Sequence, residues 1–307
     1  MSTKRAAAVL LLAFAAGLIG GGTASADTDF AGLVPIAADR SLFLDCQGSG
    51  SPTVLVIPGK GSYAEAWNVV VPADDPIRSS PYDIITEAKF VPSSTATQPT
   101  VAKTTRVCVY DRPNTRPDGV DRSTLVPQPH TVQQDVDDVV ALIAAAHLAT
   151  PLVIVAHSYG GLIADLLART HPELVSALVF VEPTSEFIPA VGRPDQNAAF
   201  ETDSSTPTEP GAETVLPDDA FAAIAVAPPL PRVPAIVLSG DKFPAPEAVK
   251  PDNYTQAQVH QANDMLAESL GTTNVIVPGS GHNMMLYQPQ ATAEHIVAMV
   301  DQVRAGP

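Results

Sequence analysis

One serine, Ser158, lies in a setting that restricts the fold of the whole chain. It belongs to the segment AHSYGG, residues 156–161, in which small residues stand on both sides of the serine. The apolar run Leu152–Val155 precedes this segment, and apolar residues at helical spacing between Leu162 and Leu167 follow it. Small neighbours allow the strained backbone of a tight turn between a strand and a helix. The segment therefore predicts a strand, a sharp turn and a helix, with the serine hydroxyl raised above the edge of a sheet.

The first 26 residues have the pattern of an export signal. Lys4 and Arg5 precede an apolar stretch from Ala6 to Ile19, and Ala24-Ser25-Ala26 has the small residues of a cleavage site. We predict a signal peptide cleaved after Ala26, and an uncleaved N-terminal anchor is the alternative. The apolar stretch is shorter than the roughly 20 residues that a membrane-spanning helix needs. The pattern therefore predicts a secreted protein without stable membrane insertion after cleavage.

Length and charge restrict the domain number and the partners. Residues 27–307 are enough for one α/β domain with a large core. The chain has 17 Lys and Arg residues against 33 Asp and Glu, a formal net charge of −16. This acidity disfavours nucleic acids and anionic membranes and leaves a small molecule as the expected partner. The seven histidines lack the spacing of metal ligands. No metal and no organic cofactor is expected.

Strand-like runs and helix-like patterns alternate along the chain, which predicts an α/β protein with a mostly parallel sheet. Apolar residues between Val132 and Ile143 recur at helical spacing, and those between Ile296 and Val303 do the same. Proline-rich stretches interrupt the alternation after the third and the sixth strand. The predicted strands are Gly32–Ala37, Ser41–Cys46, Thr53–Ile57, Thr105–Tyr110, Leu152–Ala156, Ala177–Val181, Ala235–Ser239 and Asn274–Val277.

Several segments resemble exported α/β-hydrolases of actinobacterial type. The resembling segments are DCQGSGSP at 45–52, Trp67, RVCVYDR at 106–112, HSYGG at 157–161, and SGHN at 280–283 with Pro289. The resemblance extends from about residue 40 to residue 303. It implies the α/β-hydrolase fold, an eight-stranded, mostly parallel sheet with helices on both faces. It also implies a small cap over the active site, inserted after the sixth strand at about residues 183–233.

The resemblance implies a catalytic triad in the chain order serine, acid, histidine. Ser158 is then the nucleophile of a G-x-S-x-G motif whose first glycine is replaced by Ala156. His282 follows the last strand and would take the proton from Ser158 and later deliver it to the leaving group.

The acid of the triad has two candidates. Such hydrolases most often place it three residues beyond a glycine after the seventh strand, where this chain has Phe243. Some members place it at the end of the sixth strand, where this chain has Glu182. We favour Glu182, and Asp241 is the alternative.

An oxyanion that forms during acyl transfer needs preorganised N–H donors. The resemblance implies that the backbone N–H of Tyr159, the residue after the nucleophile, is one of these donors. The second is expected from Lys60, in the loop after the third strand, with Gly61 as the alternative. The Lys60 side chain itself is expected to face solvent, and projection into the pocket is the alternative.

Cys46 and Cys108 fall on the second and fourth predicted strands, which are neighbours in the sheet order of these hydrolases. Because an exported chain meets an oxidising environment, we predict a disulfide between them, with two buried free thiols as the alternative.

These features together predict a secreted serine hydrolase that cleaves carboxylic esters through an acyl-enzyme. A peptidase, a thioesterase or a cofactor-free haloperoxidase would use the same residues and remains an alternative. A binding protein with a hydrolase-like fold and no turnover is the alternative from another class.

Overall fold

The computed structural model describes residues 28–75, 89–116, 121–243 and 250–306. The predicted signal peptide lies outside these residues. Each of the eight predicted strands is present in one sheet, so the prediction of the strands is confirmed. Their bounds are β1 Phe30–Ala37, β2 Arg40–Gln47, β3 Val54–Ile57, β4 Val107–Asp111, β5 Leu152–Ser158, β6 Val175–Pro183, β7 Ala235–Gly240 and β8 Asn274–Val277.

The strands follow the spatial order β1-β2-β4-β3-β5-β6-β7-β8. The pairs β1–β2 and β2–β4 are antiparallel, and the pairs from β4 to β8 are parallel. Parallel strands covered on both faces are apolar at nearly every position, which explains the unbroken run Val54–Ile57. This is the predicted eight-stranded, mostly parallel sheet of the α/β-hydrolase fold.

Helices cover both faces of this sheet. Their bounds are α1 Thr97–Val101, α2 Val132–Ala145, α3 Gly160–Thr170, α4 Ile188–Val191, α5 Pro194–Ser205, α6 Pro217–Val226, α7 Gln256–Ser269, α8 Met284–Tyr287 and α9 Pro289–Ala305. Alternate residues of β5 point to opposite faces. Ile154 belongs to a buried cluster with residues of α2 and α3, whereas Val155 belongs to a second cluster with residues of α9. The sheet therefore separates two apolar cores.

The segment between β6 and β7 carries α4, α5 and α6, and none of these helices exceeds 12 residues. It coincides with the stretch that we interpret as a cap, and we call it the insertion. It returns to the rest of the domain near Thr214, whose N–H donates to Gln128 Oε1 at 3.0 Å. His130 and Val215 form an isolated β-bridge beside this contact.

Cys46 and Cys108 face each other in the register of β2 and β4 and form a disulfide. Their Cα atoms are 4.0 Å apart. The predicted disulfide is confirmed, and it joins the antiparallel edge of the sheet to its parallel part. Within the described ranges, no helix has the length and hydropathy needed to cross a bilayer.

Candidate active site

Ser158 ends β5 on the tight turn that the sequence predicts. Its φ is +52°, in the left-handed region that residues other than glycine rarely adopt. The turn also presses the start of α3 against the end of β3. A Cβ atom at position 160 would lie 2.4 Å from the Ile57 carbonyl oxygen and 2.7 Å from that of Pro58, so Gly160 is required there. The backbone thereby raises the Ser158 side chain at the carboxyl end of the parallel strands.

His282 lies on the loop between β8 and α8, beside the serine. Its Nε2 atom is 3.0 Å from Ser158 Oγ, within hydrogen-bond distance. Burial of the ring lowers the pKa of His282 to about 4. The imidazole is therefore neutral at neutral pH and can accept a proton from the serine hydroxyl.

His157 supports this arrangement in a way that the sequence did not indicate. Its Nε2–H donates to the backbone carbonyl of His282 at 2.8 Å, and the two ring centroids are 4.9 Å apart. Burial, and after it the proximity of His282, lowers the pKa of His157 to about 3. A neutral His157 therefore holds the His282 backbone. No local pattern distinguishes such a role from simple packing beneath the turn.

Glu182 lies at the tip of β6, with a φ of +42° and 3% of its surface exposed. Its Oε2 atom accepts the N–H of Gly240, the last residue of β7, at 2.5 Å. Gly240 in turn packs against the loop that leads to His282. A Cβ atom at Gly240 would lie 2.5 Å from the Ser280 carbonyl oxygen. The Glu182 carboxylate is therefore held between two strand tips, beside the histidine loop.

Asp241 occupies a different position, on the more exposed side of the same loop. Its Oδ1 atom accepts the Gly279 N–H at 2.7 Å, and Lys242 Nζ lies 3.9 Å from its Oδ2. The Asp241 side chain is 34% exposed. The carboxylate thus braces the backbone three residues before His282. Phe243, the position at which the resemblance most often implies the acid, packs edge-on against the ring of His260.

The loop after β3 lies against the nucleophile because residue 59 is glycine. A Cβ atom there would be 2.7 Å from Ser158 Cβ and 2.8 Å from His157 Nδ1. In the part of the chain that the structure describes, the N–H groups of Lys60 and Tyr159 make no hydrogen bond. The Gly61 N–H, the alternative donor, is occupied, because it donates to Glu213 Oε2 at 2.6 Å.

The Lys60 side chain is half-buried, and the prediction that it faces solvent is wrong. Its Nζ donates to the carbonyl oxygens of Ser204 and Asp203, at 2.8 and 3.2 Å. These carbonyls belong to the last turn of α5, where backbone acceptors lack helical partners. Partial burial lowers the pKa of Lys60. The side chain therefore connects the loop after β3 to the insertion.

Among the described residues, no group of three or more His, Cys, Asp and Glu side chains is arranged to hold a metal ion. The chemistry available at this site is that of a serine hydroxyl, a neutral imidazole, a buried carboxylate and two N–H groups that bond to none of the described residues.

Comparisons with known proteins agree with this architecture. Residues 54–295 match the model of a family described as the alpha/beta hydrolase family. A curated protein of Schizosaccharomyces pombe, described as uncharacterized, is 32% identical over 149 residues, which cover 46% of this chain. The match covers only 26% of that protein's length.

Solved structures with this fold include a carboxylesterase. Est1E from Butyrivibrio proteoclasticus, solved with ferulic acid bound, has a TM-score of 0.56 at 13% identity, covering 88% of this chain and 99% of its own. Carboxylesterase CesB from Bacillus subtilis has a TM-score of 0.53 at 14% identity, covering 89% and 91%. Est816, described as an N-acyl homoserine lactone degrading enzyme, has a TM-score of 0.55 at 18% identity, covering 87% and 99%. At these identities the likeness shows the fold alone.

Proposed function

Because the chain belongs to the alpha/beta hydrolase family, we propose that it is a serine hydrolase that cleaves carboxylic esters through an acyl-enzyme. The observation that carries the proposal is the 3.0 Å contact between Ser158 Oγ and His282 Nε2, made by a serine at positive φ. A serine hydroxyl is a weak nucleophile unless a base lies within hydrogen-bond distance. The neutral His282 satisfies this requirement.

In the proposed reaction, Ser158 Oγ attacks the ester carbonyl carbon while its proton moves to His282 Nε2. The N–H groups of Lys60 and Tyr159 bind the oxyanion of the tetrahedral intermediate. The intermediate collapses, the bond to the alcohol oxygen breaks, and His282 protonates the departing alkoxide. A water molecule, activated by His282, then attacks the carbonyl carbon of the acyl-enzyme. The bond to Ser158 Oγ breaks, which releases the carboxylic acid and restores the serine.

We assign the acid of this triad to Glu182. Its burial, its positive φ at the tip of β6 and its bond to Gly240 support the assignment, because a carboxylate fixed beside the histidine loop can orient His282 and stabilise its protonated form. Asp241 is less suited, because one of its oxygens accepts the Gly279 N–H and its side chain is one-third exposed.

An uncharged small-molecule ester fits the proposal best. The formal net charge of −16 disfavours polyanionic substrates. One structural neighbour is named as a carboxylesterase, and another, Est1E, was solved with ferulic acid bound, which supports ester bonds as the point of attack.

Export from the cell is part of the proposal. The pattern of residues 1–26 and the disulfide between Cys46 and Cys108 support it, since disulfides persist in oxidising compartments. Expression of the full chain with a C-terminal tag, followed by N-terminal sequencing of the product in the culture medium, tests it. We expect the secreted product to begin at Asp27, the residue after the cleavage site. A product retained in the cytosol would contradict export.

The decisive test is the hydrolysis of a series of p-nitrophenyl acyl esters by the wild type and by Ser158→Ala. We expect turnover by the wild type and none above background in the variant. Labelling with a fluorophosphonate probe provides a readout that does not depend on the ester chosen. Labelling without turnover would point to another acyl substrate, such as a peptide or a thioester. Neither labelling nor turnover would favour a binding protein.

A further inference from the structure

Arg112, the last residue of the RVCVYDR segment, is 2% exposed and directs its guanidinium at the loop after β3 and at the insertion. Its Nη1 and Nη2 atoms donate to the carbonyl oxygens of Pro58 and Gly59, the latter at 2.6 Å. Its Nε donates to Glu213 Oε1 at 2.7 Å. The guanidinium is therefore bound to the loop and to the insertion at once.

Glu213 completes this arrangement from the insertion. It is 5% exposed, and its two oxygens accept from different partners: Oε1 from Arg112 and Oε2 from the Gly61 N–H at 2.6 Å. The buried pair thus holds the peptide groups on both sides of Lys60.

The geometry of a trans peptide explains the consequence for Lys60. The carbonyl of Gly59 and the N–H of Lys60 belong to one planar peptide group and point in opposite directions. Because Arg112 holds the Gly59 carbonyl, the Lys60 N–H is directed away from Arg112. The Gly61 N–H is held by Glu213. Rotation of the Lys60 N–H out of position would therefore break contacts to a buried charge.

Arg112 also lies close to the other proposed donor. Its guanidinium carbon is 5.8 Å from the centre of the Tyr159 ring, and the Tyr159 hydroxyl lies 3.4 Å from Asp135 Oδ2 on α2. The Tyr159 ring and the peptide group that carries the Lys60 N–H thus both lie against the same buried cation.

From these contacts we propose that Arg112 and Glu213 are positioning residues of the oxyanion hole, and that docking of the insertion is required to form it. The inference rests on the proposed function. A buried ion pair contributes little to stability once desolvation is counted, so stability alone is a weak reason for this pair. The hydrogen bonds that the pair makes to three backbone groups of the loop after β3 are a better explanation for the presence of the pair.

The test compares Glu213→Gln with wild type on a p-nitrophenyl ester that wild type hydrolyses. A glutamine of the same shape has an NH2 group in place of one acceptor oxygen, so this group faces either Arg112 or the Gly61 N–H, which are both donors. The concentration of active sites is taken from labelling with the fluorophosphonate probe. We expect kcat per active site to fall about tenfold to a hundredfold, since loss of a whole oxyanion donor lowers kcat about a hundredfold to a thousandfold. KM should change by less than about threefold, because the hole binds the transition state more tightly than the substrate.

Affinity for a boronic acid provides the readout that a merely structural role would not change. Boronic acids form a tetrahedral adduct on the serine that places an oxygen in the hole, so their affinity should fall in proportion to kcat. Glu209→Gln is the matched control, because Glu209 is exposed and its replacement makes the same charge change in the same segment. Circular dichroism and thermal melting establish which variants are folded.

If Glu213→Gln does not fold, Lys60→Met supplies the second test, since it leaves the loop backbone intact and removes only the contacts of Nζ to the end of α5. The proposal expects a smaller loss of kcat, about threefold to tenfold, with a parallel loss of boronic acid affinity. A folded variant with full activity and full affinity for the boronic acid would overturn this inference. If Ser158→Ala is inactive in the same assay, the proposed function is still supported. An inactive and unlabelled wild type would overturn both.

Discussion

Two residues at strand tips, Ser158 and Glu182, hold φ values of +52° and +42°. Such conformations are unfavourable for residues with side chains and persist only where the surrounding structure imposes them. Both residues are hydrogen-bonded to neighbouring backbone: the Thr184 N–H donates to the Ser158 carbonyl, and the Gly240 N–H donates to the Glu182 carboxylate. The strained pair lies beside the loop that carries His282, which is why we place the nucleophile and the acid there.

The kinetics of two single-residue variants can identify the acid of the triad. We expect Glu182→Gln to lower kcat/KM by about a thousandfold or more, because a neutral amide neither stabilises the protonated His282 nor selects its tautomer. Asp241→Asn should stay within about fivefold of wild type, because its amide oxygen can still accept the Gly279 N–H. Steady-state kinetics on both variants measures this. The opposite order of the two losses would assign the acid to Asp241.

The acid limb of the pH profile reports on His282. Burial lowers its pKa to about 4, below the ordinary value of 6.5, and only the neutral imidazole can act as the base. Activity should therefore be complete at pH 6 and fall only as the pH decreases through about 4. The profile of kcat/KM between pH 3.5 and 8, with circular dichroism at each pH to exclude unfolding, measures this. A midpoint at pH 6.5 or above would contradict it.

At the scale of elements, the end of β3 and the start of α3 approach so closely that position 160 has no room for a side chain. We expect Gly160→Ala to destabilise the fold by about 1–3 kcal/mol, as overpacking does, and to reduce ester hydrolysis by displacing Ser158 or the loop after β3. Urea unfolding and kcat/KM measure the two effects.

Gly32→Ala is the matched control for that variant. A Cβ atom at position 32, on the edge strand β1, would meet only the Phe30 ring at 3.3 Å, and this ring can move. We expect wild-type activity and stability within about 0.5 kcal/mol, as for most surface changes. Equal behaviour of the two alanine variants would refute the packing argument for Gly160.

At the scale of the whole molecule, the disulfide joins β2 to β4 across a sequence separation of 62 residues. Replacing Cys46 and Cys108 together by alanine should lower the free energy of unfolding by about 4 kcal/mol, mainly because the unfolded chain gains freedom. Activity of the folded variant should be retained, since neither cysteine belongs to the candidate site. Urea denaturation with and without a reductant measures this.

In that experiment, wild type with its disulfide reduced should unfold near the midpoint of the double variant. Equal midpoints for oxidised wild type and the variant would show that the disulfide contributes no stability.

Much of the architecture follows from patterns within the sequence. The apolar runs that became β3 and β5 identify buried parallel strands, and the small residues beside Ser158 identify the turn, because both depend on backbone preferences of neighbouring residues. The pairing of Cys46 with Cys108 could be predicted once the sheet order was inferred from the resemblance to other hydrolases. The position of His282 after the last strand followed in the same way.

Only the tertiary structure decided what surrounds these residues. It provided Gly61 with a partner 152 residues away in Glu213, and it placed the Lys60 ammonium on the end of α5 rather than in solvent. It also separated the buried Glu182 from the more exposed Asp241, although both lie at strand ends. The physical reason is that secondary structure depends largely on local backbone preferences. The partners of a buried polar group depend instead on which distant segments pack together.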